Sequence, residues 1–158
     1  MGGGNFDPVS YTKTVRNLTT SGQVFARSAT ASQTGNYSGS IADILNPRNL
    51  KNGMRESCFA PGFDDLLPIV VSLDATGSMN QVPYDIQREL PKLLTLLVEQ
   101  GITTHPNVLF MVHDDEHAVP PDAAFQMSQF EIGAPELIAA LNEAVFPGHG
   151  GGNYGEAY

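Results

Sequence analysis

Two spacings of apolar residues alternate along the second half of this chain, and each change of spacing marks an element. Residues 68–73 and 108–112 are short, predominantly apolar runs, the first rich in β-branched side chains. They are too short for helices and predict strands buried on both faces, as in a parallel sheet. Between them Ile86, Leu90, Leu93, Leu94, Leu97 and Val98 recur at the helical period, which predicts a helix over residues 82–100. Pro83 falls in its first turn, where proline is tolerated, and Gly101 supplies a stop. Pro91 falls in the interior and should kink or divide the helix. Residues 125–132 predict a short edge strand, and residues 135–145 a helix opened by proline. Strand, helix, strand, short strand, helix is the order of an α/β, doubly wound, Rossmann-like sheet. Two helices are too few to cover both faces of two central strands. Further residues or another subunit are therefore expected to complete the sheet.

The first half reads differently. Residues 11–40 are crowded with Ser, Thr, Gly and Asn and hold few large apolar side chains. Such a segment buries too little surface to offset its ordering entropy. Residues 1–45 accordingly predict a flexible arm, ordered only against a partner or a neighbouring subunit, with a short helical turn at residues 40–45 stopped before Pro47. Residues 46–67, with Asn52-Gly53 and Pro61-Gly62, read as an irregular connection. Residues 68–158 carry the α/β pattern.

Composition narrows the function classes. A length of 158 residues with 41% hydrophobic side chains suits one domain with a real core. No apolar run reaches the roughly 18 residues of a membrane span. Met1-Gly2-Gly3-Gly4-Asn5 has neither the basic nor the apolar region of a secretory signal. The single cysteine, Cys58, excludes an internal disulfide framework and fits the cytoplasm or a virion assembled there. All 8 Lys and Arg lie at or before Lys92, matched there by 8 Asp and Glu, so the net charge of -9 falls in residues 93–158. That surface repels phosphate backbones and argues against general nucleic-acid binding, although acidic residues also serve plain solubility.

Candidate chemistry sits where the first apolar run ends, at Asp74-Ala75-Thr76-Gly77-Ser78. A carboxylate at the C-terminal end of a parallel strand lies where open α/β sheets bind ligands. Asp74, Thr76 and Ser78 offer one anionic and two neutral oxygens, which suits a hard divalent cation such as Mg2+. Two other readings stand beside this one. Asp74 could cap the following helix from an ordinary polar turn, or act as an aspartyl-phosphate nucleophile, although phosphatases usually carry a second aspartate where Thr76 stands. The cluster His113-Asp114-Asp115-Glu116-His117 invites a zinc reading, but it follows a strand, so its i, i+4 histidines need not share a face. Asp114 instead fits the same sheet edge as Asp74, tuning the site from behind the ligands. The glycines of residues 148–152 permit close backbone approach to a ligand, yet no Lys or Ser/Thr of a phosphate loop follows them. His149 within them is a candidate contact.

The Asp74-Ala75-Thr76-Gly77-Ser78 run resembles the first metal motif of von Willebrand factor A domains, Asp-x-Ser-x-Ser, with Thr76 keeping the first hydroxyl. The glycine loop with Asn153 and Glu156 resembles their later loop, where a Thr or Asp follows the glycines. Asn153 offers an amide oxygen there and adds no charge. Asn46-Pro47, Met54-Arg55-Glu56-Ser57, Leu67-Pro68-Ile69, Val82-Pro83, Leu90-Pro91, His105-Pro106, Gln129-Phe130-Glu131 and Glu156-Ala157-Tyr158 extend the resemblance to an uncharacterised phage and bacterial group of such proteins, over residues ~45–158. The resemblance implies a von Willebrand factor A-type fold with Mg2+ (or Mn2+ or Ca2+) held by Asp74, Thr76, Ser78 and Asn153, with Asp114 and Glu156 nearby. It also implies an apparently truncated domain, since complete A domains continue past the glycine loop.

The expectation is therefore a non-enzymatic, metal-dependent protein-binding module whose cation takes an acidic group of a protein partner. No nucleophile–base pair stands out. The alternatives are a structural component of a phage particle or other homo-oligomeric assembly with a vestigial metal site, and a metal-dependent phosphohydrolase using Asp74.

Overall fold

The computed structural model describes residues 7–21, 25–35, 41–50, 55, 57, 64–79, 81–115 and 124–146. Helices α1 (Pro8–Ser21) and α2 (Ala26–Thr34) are followed by 3-10 turns at Asp43–Leu45 and Pro47–Asn49. Then come β1 (Leu66–Asp74), α3 (Val82–Glu99), β2 (His105–His113), β3 (Phe125–Met127) and α4 (Ala134–Glu143). Among the described residues the fold is α/β, with one mixed three-stranded sheet of order β1-β2-β3. β1 and β2 run parallel, pairing Leu66 with His105 through Asp74 with His113, and β3 returns antiparallel. No helix among these residues is long and apolar enough to cross a membrane.

The parity of the backbone hydrogen bonds explains where the prolines fall. Ala75 donates its N–H to His113 O at 2.8 Å, so the odd-numbered residues of β1 direct their peptide groups at β2. The even-numbered ones face the other edge, where no strand pairs β1 among the described residues. Pro68 is even, so its missing N–H removes nothing from the β1–β2 ladder. Side chains alternate in the orthogonal sense. Ile69, Val71 and Leu73 of β1 and Val108, Phe110 and Val112 of β2 turn to a common core with Leu90 and Leu94 of α3 and Leu137, Ile138 and Leu141 of α4.

β2 is buried nearly throughout, as its apolar run predicts. β1 is not, which corrects the expectation of two strands covered on both faces. Pro68, Val70 and Ser72 are exposed, Val70 to 53%. The apolar run looked two-sided because Pro68 and Val70 continue it without facing the core.

Within residues 1–45, expected to be a flexible arm, α1 and α2 are helical. Their apolar residues are few but well spaced. Tyr11 and Val15 are four apart and buried, with Leu18 packed beside them. Four of the hydroxyls are satisfied along the helices themselves. Thr14, Thr20, Thr30 and Thr34 each donate to the carbonyl four residues back, at 2.9–3.1 Å. A Ser/Thr-rich segment therefore folds here by burying a narrow stripe.

α3 runs from Val82 to Glu99 without being divided at Pro91, which is buried. Gly101 ends it, as predicted, at φ 65. Gly101 N–H reaches Val98 O and Ile102 N–H reaches Leu97 O, both at 3.0 Å, which is the paired closure of a Schellman motif.

Candidate metal centre

β1 delivers Asp74 to the C-terminal edge of the sheet, and the chain then tightens into a 3-10 turn at Gly77–Met79. Thr76 donates its N–H to Asp74 Oδ1 at 2.8 Å, and Met79 N–H closes on Thr76 O at 2.9 Å. These two bonds bring the hydroxyls of Thr76 and Ser78 to 3.3 Å of each other. The sequence grouping of Asp74, Thr76 and Ser78 is thus also a spatial one. The helix-capping alternative does not match this geometry. Gln81 occupies the N-cap of α3 without a side-chain cap bond, while Asp74 binds within its own turn.

The neighbouring strand brings Asp114 to the same edge. His113 is the register partner of Asp74, and Asp114 follows it at 1% exposure. Asp114 N–H bonds Ala124 O at 2.8 Å, and its Oδ1 accepts the Asp115 N–H at 2.7 Å. Asn153, Glu156, His149, Glu116, His117 and the glycine loop lie outside the described residues. Among the described residues no three His, Cys, Asp or Glu side chains gather as a metal cluster. His113 ends a strand and is buried, so the helical geometry of a His-x-x-x-His zinc pair does not apply to it.

A donor set of one carboxylate and two hydroxyls fits a hard cation that retains several waters, and does not fit zinc. Two clefts meet at Asp74. One, of about 310 Å3, runs beside Ser72, Val82, Ile86 and His113. The other, of about 260 Å3, lies between the Asp74 turn and a wall made by Ser28, Ala29 and Ser32 of α2, with Tyr84 and Phe146. Sequence reasoning missed this wall entirely. Its one signal was the apolar step Val24-Phe25-Ala26 within a polar segment.

Phe25 is fully buried, and its ring meets Tyr84 and Phe146 edge-on with centroids 4.8 and 4.7 Å away. Its N–H donates to Asn142 Oδ1 at 3.2 Å, and Phe146 N–H donates to Ser28 Oγ at 2.9 Å. Arg27 Nη1 reaches Glu143 Oε2 at 2.8 Å, a half-exposed pair that orients α2 more than it stabilises it.

Comparison with protein-family models, curated proteins and solved structures finds no match to this chain.

Proposed function

We propose that the chain is a metal-dependent protein-binding module of the von Willebrand factor A type. The observation that carries this reading is the Asp74 turn, which sets a carboxylate and two converging hydroxyls at the C-terminal edge of a parallel strand. A divalent cation there would supply an electropositive point for a carboxylate of a protein partner. The residues shape what surrounds it. Asp74 is its one anionic donor in the turn, Thr76 and Ser78 add neutral oxygens, and Asp114 stands at the same sheet edge, just past the end of β2. One carboxylate leaves most of a divalent charge uncompensated, which favours an acidic partner. The parallel β1–β2 pair joined through α3 supports a Rossmann-like arrangement. Asn153 and Glu156 belong to the same proposal through the glycine loop.

The test is isothermal titration of Mg2+ and Mn2+ into the wild type, Asp74→Ala and Ser78→Ala. The expected ranking is wild type, then Ser78→Ala, then Asp74→Ala with the weakest binding. Equal affinities in all three would remove the site. Turnover of a phosphate ester that is lost in Asp74→Asn would favour the phosphohydrolase instead.

A structural role in an assembly has its own observation. Val70, Leu93 and Leu96 are about half exposed, which is apolar area suited to a subunit contact. Native mass measurement decides it, an oligomer supporting the role and a monomer at all concentrations opposing it.

A further inference from the structure

Basic residues gather at one place in this acidic chain. α1 carries Lys13 and Arg16 and no acidic residue, in a protein whose net charge is -9. It packs against α3, and a groove of about 330 Å3 lies between the two helices. The charged lining is Arg16 from α1 with Arg88, Glu89 and Lys92 from α3, three cations against one anion. Val15 and Pro91, both buried, supply apolar lining. Thr12 and Arg16 also line a second cleft, of about 360 Å3, where Val9 and Lys13 continue the same surface along α1. Val9 is 75% exposed.

The cations are only loosely engaged. Glu89 pairs with Arg88 and Lys92, and Asp85 holds Arg88 at 2.9 Å. These are exposed pairs within one helix, which contribute little to stability, so a partner's carboxylate can join or replace them. Lys13 and Arg16 form no ion pair among the described residues. A basic surface with apolar patches suits an occupant that carries carboxylates beside apolar side chains. Nucleic acid fits it poorly. No aromatic side chain lines either cleft to stack a base, and Glu89 opposes a run of phosphates. The 14 residues of α1 span about 21 Å at 1.5 Å per residue, room for an amphipathic helix of about four turns.

We propose that the α1–α3 groove docks an acidic amphipathic helix of a protein partner. Its carboxylates meet Arg16, Arg88 and Lys92, and its apolar stripe covers Val9, Val15 and Pro91. The contact needs no metal, and the groove shares no lining residue with the clefts at Asp74.

The test is fluorescence anisotropy of the full chain in EDTA, with a fluorescein-labelled peptide of two Glu-Leu-Leu-Glu-Glu-Leu-Ala repeats. The peptide should bind, and should weaken as NaCl rises from about 0.05 to about 0.5 M. Arg16→Glu turns an attraction into a repulsion and should weaken binding by at least ~10-fold. Lys13→Glu should act in the same direction by a smaller factor, and decides if Arg16→Glu does not fold. Arg48→Glu makes the same change in net charge at an exposed turn outside the groove, and should alter binding by less than ~2-fold because salt screens distant charges. Absence of binding overturns the proposal, as does equal weakening by Arg16→Glu and Arg48→Glu. Octaglutamate binding as tightly as the peptide would reduce the groove to a sink for anions and overturn the apolar contact. Tighter binding of a single-stranded oligonucleotide would assign the groove to nucleic acid instead. Binding that appears only when Mg2+ replaces EDTA would move the contact to the Asp74 turn and overturn the groove, leaving the metal-site reading intact.

Discussion

The two ends of the sheet carry the same kinds of residue and use them differently. At the N-terminal end Asp65 stands before β1, with Thr103, Thr104 and His105 opening β2. Asp65 Oδ2 accepts from the Thr104 N–H and hydroxyl, each at 2.6 Å, and Oδ1 lies 2.8 Å from His105 Nδ1. Thr103 donates its hydroxyl to Asp65 O at 2.6 Å. The carboxylate is thus engaged across the strand gap and staples two strand ends together. At the C-terminal end Asp74 folds back onto Thr76, and its hydroxyl neighbours border two clefts. An aspartate beside hydroxyls is not chemistry by itself. The clefts that reach Asp74 are what mark it as a candidate site.

The largest expected effect tests the wall of the C-terminal end. Phe25→Ala deletes a fully buried aromatic side chain and should cost about 3–5 kcal/mol, as in other cores. At about 2–4 °C per kcal/mol for a chain of this size, thermal melting should fall by roughly 6–20 °C. A melt unchanged from the wild type would return residues 25–34 to the flexible arm that composition suggests.

Next is the metal itself. Changes to residues behind a metal's ligands weaken binding by about 10–100-fold, so loss of the one carboxylate in the turn should exceed that range. Asp74→Ala is therefore expected to reduce Mg2+ affinity by more than ~100-fold, while Asp65→Ala leaves it unchanged by titration calorimetry. A loss of similar size in both variants would erase the distinction between the two ends.

The staple should show itself in acid. Hydrogen bonds from His105 and then from Thr104 hold the Asp65 carboxyl well below the usual carboxylate range. A group whose folded value is depressed stabilises the fold above its unfolded value, near 3.9 for aspartate. That stability is lost as pH falls from there through the folded value. Melting temperature measured from pH 7 down to pH 2 should therefore separate wild type from Asp65→Asn at neutral pH, and the two curves should converge in acid. Parallel curves over the whole range would show that the carboxylate charge contributes nothing to the staple.

Sequence and structure agree most closely where burial is continuous and local. The runs at residues 68–73 and 108–112 mark β1 and β2 to within a few residues, because short apolar stretches that contain β-branched residues and end at polar ones favour a strand. Gly101 was legible as a stop for the same local reason. Three things were hidden. β1's exposed face was masked by Pro68 and Val70, which read as core in a pattern that carries no information on facing. The fold of α1 and α2 depends on Tyr11, Val15 and Phe25 meeting α3 and α4, contacts too distant in sequence for composition to reveal. The wall at the Asp74 cleft depends in turn on those helices. The turn itself was readable, because Asp74, Thr76 and Ser78 are bound by bonds spanning only two or three residues.

The smallest expected effect returns to the N-terminal end. Gly101 closes α3 in the left-handed region and turns the chain so that Thr103, Thr104 and His105 arrive at Asp65. A Cβ added there would meet nothing within 4 Å, so any cost of Gly101→Ala is one of backbone conformation and not of collision. A left-handed L-residue costs roughly 1–2 kcal/mol, partly offset by the smaller entropy of the unfolded chain. Gly101→Ala should therefore destabilise by about 1 kcal/mol in urea, and Gly101→Asn by less, because asparagine tolerates this region. Metal affinity at Asp74 should not change in either variant. Alanine as stable as glycine would mean that the turn relaxes without strain, and that the staple does not depend on how the helix ends.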